Sequence, residues 1–348
     1  MNRGKILPYF RFMIFVSGAT GLVGSHLLFN LLQKGEKVRA LYRNKKSIQK
    51  LKKLANYYQL NFNLDTDVEW IQGDITDMPL LEESVKNCKT IYNCAGFVSF
   101  IKKDFAQLMK INVEGTANLV NAALNAGCST FCHVSSTSAI GFNKYTNEII
   151  DETIPWEKSG SYSSNYSLSK YLAEREVWRG GEEGLNICIV NPAIIIGPGN
   201  WGQSSTNLIH SIAKGMKYYT SGVNGFVDVR DVCNAMLTLV EKKIYAQRYL
   251  IVSESMSYKE LFTLISKDLG KKAPSISVSP TLAKLACLIE NLKAALTAKP
   301  PLITKETIAS SFALRLYSNQ KIKEAIGFEF TPIHQAITNA CQAYKYTT

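Results

Sequence analysis

Short apolar runs alternate with amphipathic stretches along most of this chain, and each run ends in small or polar residues. Met13-Ile14-Phe15-Val16 is the first. It has no polar alternate, as expected of a strand buried on both faces. Leu27, Leu28, Leu31 and Leu32 then recur at helical spacing on one face, Gly35 is placed to end that helix, and Lys37-Val38-Arg39-Ala40-Leu41-Tyr42 reads as a second strand. Phe131-Cys132-His133-Val134 is a later strand, and residues 165–179 are expected to be helical. Strands and helices in alternation predict a parallel sheet covered on both faces. Residues 281–297 carry Leu282, Leu285, Ala286, Ile289, Leu292 and Leu296 as one stripe, expected to pack into the core. That helix is too short and too charged to span a bilayer, and Lys299-Pro300-Pro301 reads as the break after it.

Between the first strand and its helix lies Gly18-Ala19-Thr20-Gly21-Leu22-Val23-Gly24. A parallel strand turning sharply into a helix leaves backbone N–H groups at the positive end of the helix dipole, where a pyrophosphate can be held. Gly18 permits the bend, Gly21 removes the side chain that would block the phosphates, and Gly24 lets the helix lie close to the sheet. The spacing is G-x-x-G-x-x-G rather than G-x-G-x-x-G, but strand, glycine turn, amphipathic helix and second strand stand in the order a dinucleotide site requires.

The residues after the second strand bear on which dinucleotide. An NAD site usually places Asp or Glu there, to accept hydrogen bonds from the ribose hydroxyls. This chain offers Arg43, Asn44, Lys45 and Lys46, with Arg39 on the same strand. A guanidinium grips a phosphate through paired donors, so NADP(H) is favoured over NAD(H). Lys50, Lys52 and Lys53 read as a solvated basic helix face.

Tyr166-Ser167-Leu168-Ser169-Lys170 puts a phenol and an amine one helical turn apart. Tyr42 to Lys46 and Tyr317 to Lys321 satisfy the same spacing, but only Tyr166 opens a helix after a polar loop. A phenol with a pKa near ~10 needs a stabilised phenolate to work as both acid and base. Lys170 and an oxidised nicotinamide are cations able to supply that. The hydroxyl-rich segment Ser135-Ser136-Thr137-Ser138 follows the strand ending at Val134, where such groups in open α/β sheets meet a ligand and can stabilise charge on a carbonyl oxygen.

Taken together these residues resemble the extended short-chain dehydrogenase/reductases, the group of NAD(P)-dependent epimerases, dehydratases and dihydroflavonol-reductase-like enzymes. The resemblance covers most of the chain. Gly73-Asp74-Ile75 looks like the adenine contact, and Asn93-Cys94-Ala95-Gly96 like the strand-end segment over the cofactor. Asn112-Val113-Glu114-Gly115-Thr116 resembles the helix whose Asn organises a proton-relay water. Asn191-Pro192 with Ala193-Ile194-Ile195 resembles the segment beside the nicotinamide carboxamide, and Phe226-Val227-Asp228-Val229-Arg230-Asp231-Val232 a later signature that returns the chain to the sheet.

The resemblance implies a Rossmann-type, doubly wound parallel sheet with a smaller C-terminal substrate-binding lobe. It implies Tyr166 as general acid/base, Lys170 as ribose anchor and electrostatic partner, Ser136 as the carbonyl-orienting hydroxyl with Ser135 as fallback, and Asn112 as a weaker fourth member. Asp74, Ile75, Ala95, Gly96, Pro192 and Ile194 are the implied further cofactor contacts. A homodimer through residues 104–126 and 165–179 is implied as well. Thr137-Ser138 stands where sugar-nucleotide dehydratases usually carry an Asp-Glu pair, which favours a carbonyl reductase. A sugar-nucleotide epimerase, and a non-catalytic cofactor-sensing or scaffold protein on the same fold, stay open as alternatives.

Length and charge fit this picture. A chain of 348 residues accommodates a dinucleotide domain (1–191 and 226–253) and a substrate lobe (192–225 and 254–348). The net charge of +12 comes without a nucleic-acid motif, so the cluster near Arg43 is better assigned to phosphate. Eight cysteines without zinc or disulfide spacing read as reduced core residues of a cytoplasmic protein, and four scattered histidines suggest no metal site. Residues 1–11 are basic and lack a long apolar core, so they are expected to be a tail or alternative start and not a secretory signal.

Overall fold

The apolar runs become strands and the amphipathic stretches helices, in the order β1 (Met13–Ser17), α1 (Leu22–Gln33), β2 (Val38–Tyr42), α2 (Lys45–Tyr57), β3 (Val68–Gln72), α3 (Met78–Ser84), β4 (Cys88–Asn93), α4 (Phe105–Leu108), α5 (Gly115–Asn125), β5 (Thr130–Val134), α6 (Asn165–Glu182) and β6 (Asn186–Pro192). The second half continues with β7 (Ile194–Ile196), α7 (Thr206–Ala213), β8 (Tyr218–Tyr219), β9 (Val223–Asp228), α8 (Val229–Glu241), β10 (Gln247–Ile251), β11 (Glu254–Ser257), α9 (Tyr258–Leu269), β12 (Ile276–Ser277), α10 (Pro280–Thr297), α11 (Lys305–Phe312), α12 (Gln320–Ile326) and α13 (Ile333–Thr347). This computed structural model describes residues 12–142, 149–156, 164–297, 301 and 304–348. The basic segment 1–11 and most of the Lys-Pro-Pro break lie outside them.

Seven parallel strands form the central sheet in the order β3-β2-β1-β4-β5-β6-β10. Strand order reverses between β1 and β4, which opens a crevice at their carboxyl ends. Alternate side chains of each strand enter different cores. Val16, Ala40, Tyr92 and Cys132 pack with α1, α2 and α8, whereas Phe15, Leu41, Ile91 and Phe131 pack with α3, α5 and α6. Burial on both faces explains why these strands read as unbroken apolar runs. The fold is therefore a doubly wound α/β sheet of Rossmann type.

The lobe has its own core and a small sheet of order β11-β9-β7. The span 226–253 divides accordingly. Its first strand, β9, belongs to the small sheet, and α8 and β10 return to the large one.

One expectation fails at α10. Ala283 and Cys287 are buried, but Leu282, Leu285 and Ile289 stay more than half exposed, so this part of the stripe faces away from the core. The apolar period marked the helix correctly, but small residues rather than leucines make its close contact. The Leu292 and Leu296 side chains lie outside the described residues. Among the described residues, no helix is long and apolar enough to cross a membrane.

Candidate active site

Gly18 leaves β1 with φ of +62°, a conformation that favours glycine, and a Cβ there would lie 2.6 Å from the Ala95 nitrogen. A Cβ on Gly24 would lie 2.2 Å from the Gly18 carbonyl oxygen, so α1 rests directly on the turn. Gly21 is the N-cap of α1 and supplies no side-chain cap, which leaves the first amides of the helix for a ligand. Gly18, Thr20, Gly21, Leu22 and Val23 line one continuous cavity of about 2350 Å³, whereas Gly24 does its work beneath it. A bare helix N-terminus with no Cβ in the way fits a pyrophosphate. The volume exceeds the few hundred to about 1,000 Å³ of a one-ligand pocket, which leaves room for a second molecule beside a dinucleotide.

Arg43, at the end of β2, stands at the rim with its side chain 67% exposed and Nη1 4.0 Å from Asp74. Asp74 is itself engaged, accepting from the Thr76 amide at 3.0 Å and hydroxyl at 2.9 Å. Asn44 caps α2, and Lys46 and Lys50 join Arg43 in the cavity wall. Lys50 is exposed, as expected of the solvated face, and also borders the cavity; Lys52 pairs with Asp65 at 2.6 Å. Arg39 points elsewhere, donating to Glu69 and to the Ser84 carbonyl, each at 2.7 Å. Ile75, Ala95, Gly96, Pro192 and Ile194 all line the cavity with Asp74.

Helix α6 begins at the Ser164 cap, whose hydroxyl accepts from the Ser167 amide, and sets Tyr166, Lys170 and Glu174 on one face. Tyr166 and Lys170 reach the cavity, where Ser136 also stands. The Ser167 hydroxyl donates to the Ser138 carbonyl at 2.6 Å, which ties the hydroxyl-rich loop to α6. Burial raises the Tyr166 phenol above its ordinary value, and a hydrogen bond with the Ser136 side chain pulls it back. The ring of Phe100 packs edge-on against Tyr166, with centroids 5.7 Å apart. Ser136 and the fallback Ser135 both line the cavity with the phenol, and Ser136 is the one whose side chain draws on it. Lys170 is 4% exposed and donates to the Val134 carbonyl at 2.8 Å. Burial pushes its pKa down to about 8, against the opposing pull of Glu174 and Cys94.

Asn112 behaves differently from the other candidates. It is buried outside the cavity wall in a π-helical stretch, Met109–Glu114. Its amide donates to the Phe97 carbonyl and the Ser169 hydroxyl, both at 2.9 Å, and its oxygen accepts from the Phe97 amide at 2.7 Å. The side chain thus clamps the Gly96-Phe97 segment to α6. Local π geometry of this kind often marks functional sites.

Sequence reasoning missed the polar floor beneath these groups. Glu174 is 2% exposed, takes a hydrogen bond from Asn191 at 2.5 Å and lies 3.5 Å from Arg248. Burial raises its pKa, while Ser135, Arg248, Asn191 and Lys170 draw it down. Asn191 also donates to the Ser136 carbonyl at 3.0 Å. The floor therefore joins the lysine helix to the serine loop. The i, i+4, i+8 spacing of Tyr166, Lys170 and Glu174 was the signal available for it.

The chain has relatives among known proteins. Residues 14–251 match the model of the NAD dependent epimerase/dehydratase family. "Sterol demethylase protein B" of Methylococcus capsulatus is 30% identical over 279 residues, spanning 79% of this chain and 80% of that protein. A "putative dihydroflavonol 4-reductase" of Synechocystis is 28% identical over 95% of this chain and 94% of its own length. The crystal structure of gox2253 superposes with a TM-score of 0.78 at 29% identity, covering 96% of this chain and 98% of that one. Fold, glycine turn and sequence relationship converge: the chain belongs to the NAD-dependent epimerase/dehydratase family, among enzymes of the extended short-chain dehydrogenase/reductase type.

Proposed function

We propose that this protein is an NADP(H)-dependent carbonyl reductase, working in reverse as an alcohol dehydrogenase. The observation that carries the reading is the Tyr166 phenol beside Ser136 in the wall of the shared cavity, with Lys170 buried on the same helix face. The relatives named as dihydroflavonol and cinnamoyl-CoA reductases support reduction over epimerisation. The choice of NADP(H) rests on Arg43, exposed at the rim beside Lys46 and Lys50. The glycine turn would hold the pyrophosphate, and Lys170 the ribose.

The nicotinamide, when bound, supplies the hydride; the protein positions the substrate and handles the proton. Ser136 donates a hydrogen bond to the substrate carbonyl oxygen and fixes its place. Tyr166 gives its proton to that oxygen as the carbon is reduced. A phenol held above its ordinary pKa stays protonated at neutral pH, which suits it to this acid role. Lys170 supplies positive charge beside the phenolate left behind. Asn112 and the Glu174–Asn191 floor are positioning residues. By the same family relationship, the helices at 104–126 and 165–179 are the proposed homodimer surface.

Tyr166→Phe tests the assignment. It is expected to lower kcat/KM by about 10²–10⁴-fold while calorimetry shows NADPH binding retained. Reduction at the parental rate would refute it. Stoichiometric NADPH consumption separates a reductase from an epimerase, which returns its hydride.

A further inference from the structure

The cavity wall is uneven in charge. Its cofactor end has Arg43, Lys46 and Lys50 against Asp74, and its lobe end has Arg315 and Glu306. Arg315 follows α11 in a stretch sewn into place by backbone hydrogen bonds. The Val223 amide donates to the Ala313 carbonyl at 2.9 Å, and the Arg315 amide to the Val223 carbonyl at 3.1 Å. On the other side, the Ile150 amide donates to the Leu316 carbonyl at 2.8 Å. The backbone is thus fixed, and the guanidinium packs over the ring of Phe142, 4.7 Å from its centroid. Phe142 and Ser136 line the same cavity, so this cation stands in one wall with the serine loop.

The guanidinium has no acidic partner within 4.0 Å among the described residues, and its Nε is buried without a hydrogen bond. Glu306, the one other charged group in this end of the wall among the described residues, does not pair with it. One oxygen of Glu306 is buried without a partner, and burial raises its pKa, opposed by a hydrogen bond from the Asn165 amide. A guanidinium in a cavity wall with no carboxylate against it leaves its charge to be met by solvent or by a ligand. Arginine presents planar paired donors that match an oxyanion.

We propose that Arg315 is the specificity-determining residue of the substrate half and that the substrate is a carbonyl compound carrying an oxyanionic group, a carboxylate or a phosphate. The oxyanion pairs with the guanidinium over Phe142, and the carbonyl is left to reach Ser136 and Tyr166. This deepens the reductase reading and rests on it for the role of the second group. The remaining wall is largely apolar and aromatic, including Tyr258, Phe262 and Tyr317, so the body between carbonyl and anion is expected to be hydrophobic.

Matched pairs test the inference by binding, apart from turnover. Calorimetry on Tyr166→Phe protein with NADP bound would compare benzoylformate with its methyl ester, and dihydroxyacetone phosphate with dihydroxyacetone. The charged member of at least one pair is expected to bind about 10- to 100-fold more tightly, the value of one charge-assisted hydrogen bond. The pair that discriminates identifies the anion as carboxylate or phosphate. Adding Arg315→Ala should equalise the pair without loss of NADP binding, and Arg315→Lys should restore part of the preference. Equal affinity within both pairs, no binding by either anion, or a preference that survives Arg315→Ala would overturn the proposal. Anion-selective binding without NADPH-dependent turnover in the Tyr166 protein would instead defeat the reductase reading and leave Arg315 as the anion site.

Discussion

Lys170→Met should make the protein more stable and inactive at once. Lys170 is 4% exposed, and burial holds its pKa at about 8 against an ordinary 10.5. At about 1.4 kcal/mol per pH unit, that gap is a penalty of about 3 kcal/mol for keeping the buried ammonium charged. Because the folded value lies below the unfolded one, the penalty is complete below the folded pKa. It fades as pH rises from about 8 towards 10.5, where the unfolded chain still holds a proton that the folded protein has released. Methionine has similar length and no charge. It gives up the 2.8 Å hydrogen bond from the charged ammonium to Val134, worth about 2 kcal/mol. Glu174 keeps Asn191 and Arg248 as partners. The expected net gain is about 1 kcal/mol at neutral pH, shrinking to nothing near pH ~10. Urea unfolding of both proteins at the two pH values, followed by circular dichroism, measures it. A variant no more stable than the parent at neutral pH, or a difference that does not change with pH, would refute the reasoning. Such a stabilised but inactive enzyme would place Lys170 among residues kept for function at the expense of stability.

Other outcomes follow from the glycine turn and the rim. Gly24→Ala puts a Cβ 2.2 Å from a backbone oxygen that cannot swing aside. It should cost about 1–3 kcal/mol in urea unfolding and weaken NADPH binding in calorimetry by about tenfold or more. Arg43→Gln should weaken NADPH by about 10- to 100-fold and leave NADH unchanged; equal losses for both would show that Arg43 does not read the added phosphate.

The dinucleotide half was legible because its physics is local. A glycine turn, a strand buried on both faces and a phenol one helical turn from an amine each leave a pattern within a few residues. Arg39 shows the limit of strand-level reading: it shares β2 with the rim but is claimed by Glu69, a partner on β3 set by sheet register. Asn112 was found as a motif, yet its buried clamp on Phe97 and Ser169 depends on a π-helical stretch that the residue pattern does not announce. Arg315 was invisible for a stronger reason. Its place beside Phe142 depends on backbone pairing with residues near 150 and 223, far apart in the chain, and no local spacing encodes that.

The cavity draws its two sides from different parts of the chain. The side that meets the dinucleotide comes from strand ends of the large sheet, where a changed residue disturbs the packing of the whole scaffold. The opposite side is assembled from loops and lobe helices whose core is separate from those of the large sheet. Mutations there can retune what the enzyme accepts while hydride delivery stays intact, so descendants of one ancestor can diverge in diet without reinventing their chemistry.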